Sequence, residues 1–273
     1  MKSVLVTGCS SGIGRCIADG LKERNYNVFV TARKQEDINK LESAGFDVIY
    51  LDLANSESIH AAVATVLSKT NGELYGLVNN AAYGQTGAVE DLTTEALRDQ
   101  FETNVFGTQE LTNLIIPVMR QQNAGRIIQI SSVLGFVTMK FRGAYCASKY
   151  ALEALSDAMR YELNNTNIKV SLIEPGPIQS EFRNNAFASY QRVVDKSNSH
   201  YAEAYTRVEK EMNVENKTIP FTLGPEAVLK KVIHALESEN PKARYFVTFP
   251  TYLFAFLKRI LPGILLDKIL IKI

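Results

Sequence analysis

The sequence has no tryptophan, three cysteines and three histidines among 273 residues. Cys9, Cys16 and Cys146 are odd in number and fall inside apolar segments. That excludes a disulfide framework and points to a reducing compartment. His60, His200 and His234 are scattered, and no His/Cys grouping has metal-ligand spacing, so no metal site is expected. An excess of one charge is missing too. Lys and Arg number 30 against 29 Asp and Glu, a formal charge of +1, so nothing attracts nucleic acid or another polyanion. No apolar run reaches the ~20 residues that a bilayer span needs. The first residues, Met1-Lys2-Ser3-Val4-Leu5-Val6, lack a charged region followed by a long apolar stretch. No signal peptide is read there, and the expected location is the cytoplasm.

What is present is a regular alternation. Short apolar runs predict strands at 4–6, 28–30, 48–51, 74–78, 126–130 and 170–173, with a seventh near 245–248. Helical spacing lies between them, including 56–70, 94–122 and 145–164. Strands that are apolar throughout are covered on both faces. The pattern predicts one α/β domain over 1–250, a doubly wound parallel sheet of about seven strands with helices on both faces. Residues 251–273 read as a C-terminal amphipathic helical appendage.

Thr7-Gly8-Cys9-Ser10-Ser11-Gly12-Ile13-Gly14 joins the first predicted strand to the first helix. Three glycines permit a tight turn and close approach of backbone to a pyrophosphate, and the helix N-terminus adds free N–H groups. After the second strand an NAD site would place an acid to hold the ribose hydroxyls. Here the run is Thr31-Ala32-Arg33-Lys34, with two cations and no acid. Arg33 can pair with a 2′-phosphate, which selects NADP; the plain alternative is a solvated basic turn.

Of the 12 tyrosines, only Tyr145 has a lysine four places on, Lys149. On a helix the two share a face. A free phenol titrates near ~10, and a buried cation at close range would hold it lower. Ser132 could then bind the same carbonyl oxygen that Tyr145 protonates, although a serine at a strand end also serves simply to close a turn.

These spaced motifs resemble those of the short-chain dehydrogenase/reductases, over roughly positions 3 to 180. The resemblance implies a Rossmann-type fold and a bound NADP(H). Gly8, Ser10, Ser11, Gly12, Ile13 and Gly14 look like the phosphate loop, and Asp52-Leu53 like the pair beside adenine. Asn79-Asn80-Ala81-Ala82 looks like the family's Asn-Asn-Ala-Gly, with alanine in the last place; Asn80 and Ala81 are its cofactor-side residues. Pro175, Gly176, Pro177 and Ile178 resemble the segment closing over the nicotinamide, with Ser180 where a threonine often binds its carboxamide. Asn104, Ser132, Tyr145 and Lys149 carry over as the catalytic set. In it Tyr145 is the acid/base, Lys149 tunes it and binds the nicotinamide ribose, Ser132 orients the carbonyl, and Asn104 holds a water in a relay to the lysine. The run after the second strand and the long tail resemble NADP-using bacterial members grouped with retinol and hydroxysteroid dehydrogenases. The family resemblance implies a homodimer or homotetramer.

The implied activity is interconversion of an aldehyde or ketone and its alcohol. Leu134, Phe136, Val137, Met139 and Phe141 lie between Ser132 and Tyr145 and predict an apolar wall, hence a hydrophobic substrate. A ketoacyl-type reductase and a catalytically silent nucleotide sensor are the rival readings. Residues near 179–222 read as a substrate flap or as a helical cover packed on the core. The tail carries Lys258, Arg259, Lys268 and Lys272 against Asp267. It is open between peripheral contact with anionic lipid at the inner membrane surface, a cap over the pocket and a dimer contact.

Overall fold

Side chains alternate across each strand, and both sets are buried. In β1 (Ser3–Val6), Val4 and Val6 enter one apolar layer and Leu5 the other. In β2 (Asn27–Ala32), Val28 and Val30 oppose Phe29 in the same way. The computed structural model describes residues 1–212 and 219–272. Its other strands are β3 (Asp47–Tyr50), β4 (Gly76–Asn79), β5 (Gly125–Ile130), β6 (Ile168–Glu174) and β7 (Arg244–Phe246). All pair in parallel in one sheet of 7 strands, ordered β3-β2-β1-β4-β5-β6-β7. The order reverses between β1 and β4, so a crevice opens beyond their carboxyl ends.

The helices of the sheet's two faces close the layers. On one side α1 (Gly12–Glu23) contributes Ile17 and Leu21, and α2 (Gln35–Ser43) contributes Ile38 and Leu41. On the other, α3 (Ser56–Lys69) contributes Ile59 and Val63. The predicted helix over 94–122 is divided. α4 (Thr94–Phe101) and α5 (Thr108–Gln121) are joined through a wider π-helical turn, Glu102–Gly107. The reason is close passage of the β3–α3 loop: a Cβ on Gly107 would lie 1.8 Å from the Leu53 carbonyl oxygen. The wide turn buries Asn104 and Val105. α5 and α6 (Gly143–Glu162) complete the second layer with Leu111, Ile115 and Met159. The predicted fourth strand begins later than 74, because the Leu74 backbone is bonded instead by the Gln122 side chain, at 3.0 and 2.8 Å.

Beyond β6, α7 (Phe182–Val193) and α8 (Ala202–Met212) form the helical cover expected near 179–222, of which 213–218 lie outside the described residues. Tyr190 and Tyr205 pack with Ala88, Phe141, Phe187 and Tyr201 in a small third cluster. α9 (Glu226–Glu237) returns to the first layer through Val228 and Val232. The tail folds as two helices, α10 (Phe249–Ile260) and α11 (Gly263–Leu270), separated by Pro262. Among the described residues, no helix is long and apolar enough to cross a membrane.

Candidate active site

The glycine loop is built for backbone, not side chains. Gly8 and Gly12 have φ of +70° and +55°, in the left-handed region. A Cβ on Gly8 would stand 2.8 Å from Ala81 Cα, and one on Gly14 2.2 Å from the Gly8 carbonyl. Asn80 locks this turn by donating to the Thr7 and Gly8 carbonyls at 2.9 and 3.0 Å. Thr7 Oγ1 in turn accepts from the Asn80 and Ala81 N–H groups, both at 2.9 Å. Ser11 caps α1 without a side-chain bond, and the first turn holds no acid. The donors of Ser10, Ser11, Gly12 and Ile13 thus surround a helix N-terminus suited to a phosphate, and the cradle fits a dinucleotide's pyrophosphate.

The next predicted cofactor residues follow β2 and β3. Arg33, at the end of β2, is 61% exposed, and its guanidinium lies 3.6 Å from Asp52 Oδ1. Leu53 buries its side chain in the core and turns its carbonyl toward Gly107. The segment 175–180 spans the crevice from the other side. Val133 N–H donates to the Pro175 carbonyl at 2.8 Å, Ile178 pairs with Leu223, and Ser180 packs on Gly12. Gly176 is needed because a Cβ there would meet Thr248 Oγ1 at 2.1 Å.

Ser132, Tyr145 and Lys149 come together at the ends of β5 and α6. Ser132 Oγ accepts from Leu134 N–H at 3.1 Å and lies near enough to the Tyr145 phenol to lower its pKa, so it both closes a turn and joins the site. Tyr145 is buried, its ring 5.2 Å from that of Phe182, and both abut Gly84. Lys149 is buried as well; its ammonium donates to the Ile130 carbonyl at 2.7 Å and sits 5.9 Å from the Tyr145 ring centroid.

The expected lowering of the phenol's pKa is not met in the protein alone. Burial pushes Tyr145 above the ordinary phenol value, and Ser132 offsets this only in part. Burial also pulls Lys149 down to about 8, opposed by Glu153 one turn further on. Spacing puts the pair on one face, but burial is the largest influence on each group.

Asn104 is the member set apart. Its amide oxygen accepts from Tyr83 N–H at 3.1 Å, and its nitrogen donates to the Tyr83 carbonyl at 2.9 Å and to Ser148 Oγ at 3.1 Å. It clamps the loop after β4 to α6 beside Lys149. The predicted apolar wall is also redistributed. Phe136 packs on Phe246, and Phe141 on Tyr201 and Tyr205. Phe182, from the cover, takes the place over Tyr145.

Phe182 falls in the segment read as a substrate flap, but sequence reasoning missed Tyr83 and Ser148, and an ionic cluster behind Lys149. Arg244 donates to Glu153 at 3.1 Å and to Asp157 at 2.6 Å, and its Nε lies 3.1 Å from Glu174 Oε1. Burial, and then the neighbouring Glu153, raise Glu174 far above the usual carboxylate range, with Arg244 opposing. A carboxylate at the buried end of a strand, directly before Pro175, was the available signal. Among the described residues, no group of three His, Cys, Asp or Glu is placed to hold a metal ion.

A glycine cradle at a sheet switch point, facing a buried Ser–Tyr–Lys cluster, defines a nucleotide-binding oxidoreductase of the doubly wound class. Comparisons narrow this. The family model for short chain dehydrogenases matches residues 2–191. The uncharacterized oxidoreductase YbbO of Escherichia coli (strain K12) is 44% identical over 271 residues, 98% of this chain and 94% of that protein. The NADPH-dependent 3-dehydrocapnine reductase of Ornithobacterium rhinotracheale is 33% identical, covering 100% and 97%. Human retinol dehydrogenase 8 is 32% identical, covering 89% and 80%. Among solved structures, a short-chain dehydrogenase from Streptomyces avermitilis superposes with a TM-score of 0.78 at 31% identity, covering 95% and 93%. The chain belongs to the short-chain dehydrogenase/reductase family, with retinol dehydrogenase-like proteins among its relatives.

The Glu174 shift has a signed consequence. The folded carboxyl keeps its proton at pH values where the unfolded one, near ~4.3, has lost it. Stability contributed by the neutral group is therefore lost as pH rises from ~4.3 through the folded value of about 8. Glu174→Gln should flatten that fall, read as thermal midpoints across the range; an unchanged slope would contradict the assignment.

Proposed function

We propose that this protein is an NADP-dependent oxidoreductase that interconverts a lipophilic aldehyde or ketone and its alcohol, with Tyr145 exchanging the proton at the substrate oxygen. The observation that carries this reading is the Tyr145 phenol, buried beside Lys149 and close to Ser132. Bound NADP(H) supplies or accepts the hydride. Tyr145 donates the proton in reduction and takes it back in oxidation. Ser132 orients the carbonyl and stabilises negative charge growing on its oxygen. Lys149, with a pKa of about 8, keeps a positive charge at neutral pH. That charge favours the phenolate formed when Tyr145 gives up its proton, and Lys149 also holds the nicotinamide ribose. Asn104 supports a relay to solvent from the lysine's side of α6.

The glycine loop, Asn80 and Ala81 hold the pyrophosphate side. Asp52 and Leu53 border the adenine, and Pro175, Gly176, Ile178 and Ser180 border the nicotinamide. Arg33 binds the 2′-phosphate, supported by its open guanidinium and by the name of the NADPH-dependent relative. A lipophilic substrate is supported by Phe182 over Tyr145 and by the retinol dehydrogenase among the relatives. We place the protein in the cytoplasm as a homodimer or homotetramer; the exposed apolar residues Phe106, Leu155 and Tyr161 support self-association.

NADPH oxidation should be followed across aliphatic aldehydes, retinal, steroid ketones and an acyl-thioester ketone. Tyr145→Phe should lower turnover ~10²- to 10⁴-fold while NADPH binding, read by fluorescence titration, persists. Near-normal turnover in that variant would overturn the role. Arg33→Ala should reduce the preference for NADPH over NADH ~10-fold or more, the worth of a hydrogen bond to a charged group. An unchanged preference would reject the 2′-phosphate assignment.

A further inference from the structure

Helix α10 wears its apolar residues on the outside. Phe249, Leu253, Phe256 and Ile260, spaced i, i+4, i+7 and i+11, are 58%, 37%, 60% and 55% exposed. The helix rests on the protein through its other side, where Thr251 is buried. The stripe does not end with the helix. Ile264, Leu265 and Ile269 of α11 are exposed, and the exposed Phe221 ring lies 5.0 Å from that of Phe249. A patch of this extent is unusual on a surface that meets only water.

Charge borders the stripe. From 251 onward the chain has Lys258, Arg259, Lys268 and Lys272 against Asp267, while the whole chain carries +1, so the remainder is net negative. Apolar residues flanked by cations, on helices too short to span, suit the headgroup region of an anionic bilayer. A second copy of the chain fits less well, because a two-fold contact would face one net-positive tail with another.

The same helix is fastened to both loops that border Tyr145. Lys258 donates to the Phe136 carbonyl at 2.5 Å, in the turn that follows Ser132. Thr248 at the start of α10 abuts Gly176, and Tyr252 packs edge-on against Phe246 at 5.4 Å. Leu223, two residues from Phe221, pairs with Ile178. The exposed apolar face is therefore continuous with the segments that frame the active site.

We infer that α10 and α11 dock the protein on an anionic lipid surface, and that the substrate is drawn from that surface. Docking rests on the exposed face alone; the route of the substrate rests also on the proposed function.

The test uses the full chain with vesicles of phosphatidylcholine, alone or mixed with phosphatidylglycerol. Flotation should show binding to the mixed vesicles that weakens as salt is raised. The double variant Phe256→Asp/Ile260→Asp should bind them at least ~10-fold more weakly, with an unchanged thermal midpoint and unchanged turnover of a water-soluble aldehyde. Failure of the unmodified protein to bind mixed vesicles, or equal binding by the variant, would overturn docking. So would a variant that halves the mass by light scattering while neither protein binds lipid, since the face would then be a self-interface. Vesicle binding without turnover of any lipophilic carbonyl would instead overturn the proposed function and leave docking standing.

Discussion

The bond from Lys149 to the Ile130 carbonyl is the constraint on which the site's geometry turns. It reaches from the second turn of α6 to the last residue of β5, and so sets the helix start against the sheet's carboxyl edge. An ammonium placed there is removed from water, and without that carbonyl its burial would be strongly unfavourable. Tyr145, one turn earlier, is thereby held beside Ser132, which follows Ile130 by two residues. The cluster is rigid because its parts belong to two elements joined by a charge-assisted hydrogen bond.

The surroundings extend this arrangement. Asn104, delivered by the π-helical turn, ties the loop after β4 to Ser148, next to Lys149. Behind the lysine, Glu153, Asp157 and Glu174 gather around Arg244 and join α6 to the ends of β6 and β7. On the open side, Phe182 covers the phenol. Segment 175–180 connects the Ser132 turn to the glycine loop, so that loop and the Ser132–Tyr145–Lys149 cluster are parts of one framework.

Much of this was legible in the sequence because it depends on local pattern. Burial on both faces makes the strands apolar throughout, and the run from Gly8 to Gly14 reports a turn that only glycine can make. The Tyr145–Lys149 spacing reports a shared helix face. The sign of the Tyr145 shift was not legible, because spacing carries proximity but not desolvation. Gly107 hinted at the break in the 94–122 helix, yet its cause, the Leu53 carbonyl, lies in a distant loop. The Arg244 cluster unites side chains 87 and 91 residues apart along the chain. Phe136 and Phe141 read as a wall but are drawn away by Phe246 and the tyrosines of the cover.

The central claim is that Ser132 and Tyr145 act on one substrate oxygen as a unit. A double-mutant cycle on NADPH-dependent carbonyl reduction addresses it, using Ser132→Ala, Tyr145→Phe and both together. Groups that act as a unit give a double variant scarcely slower than the worse single variant. Losses that multiply, so that the double variant is slower by the product of the two single effects, would show independent action and contradict the account.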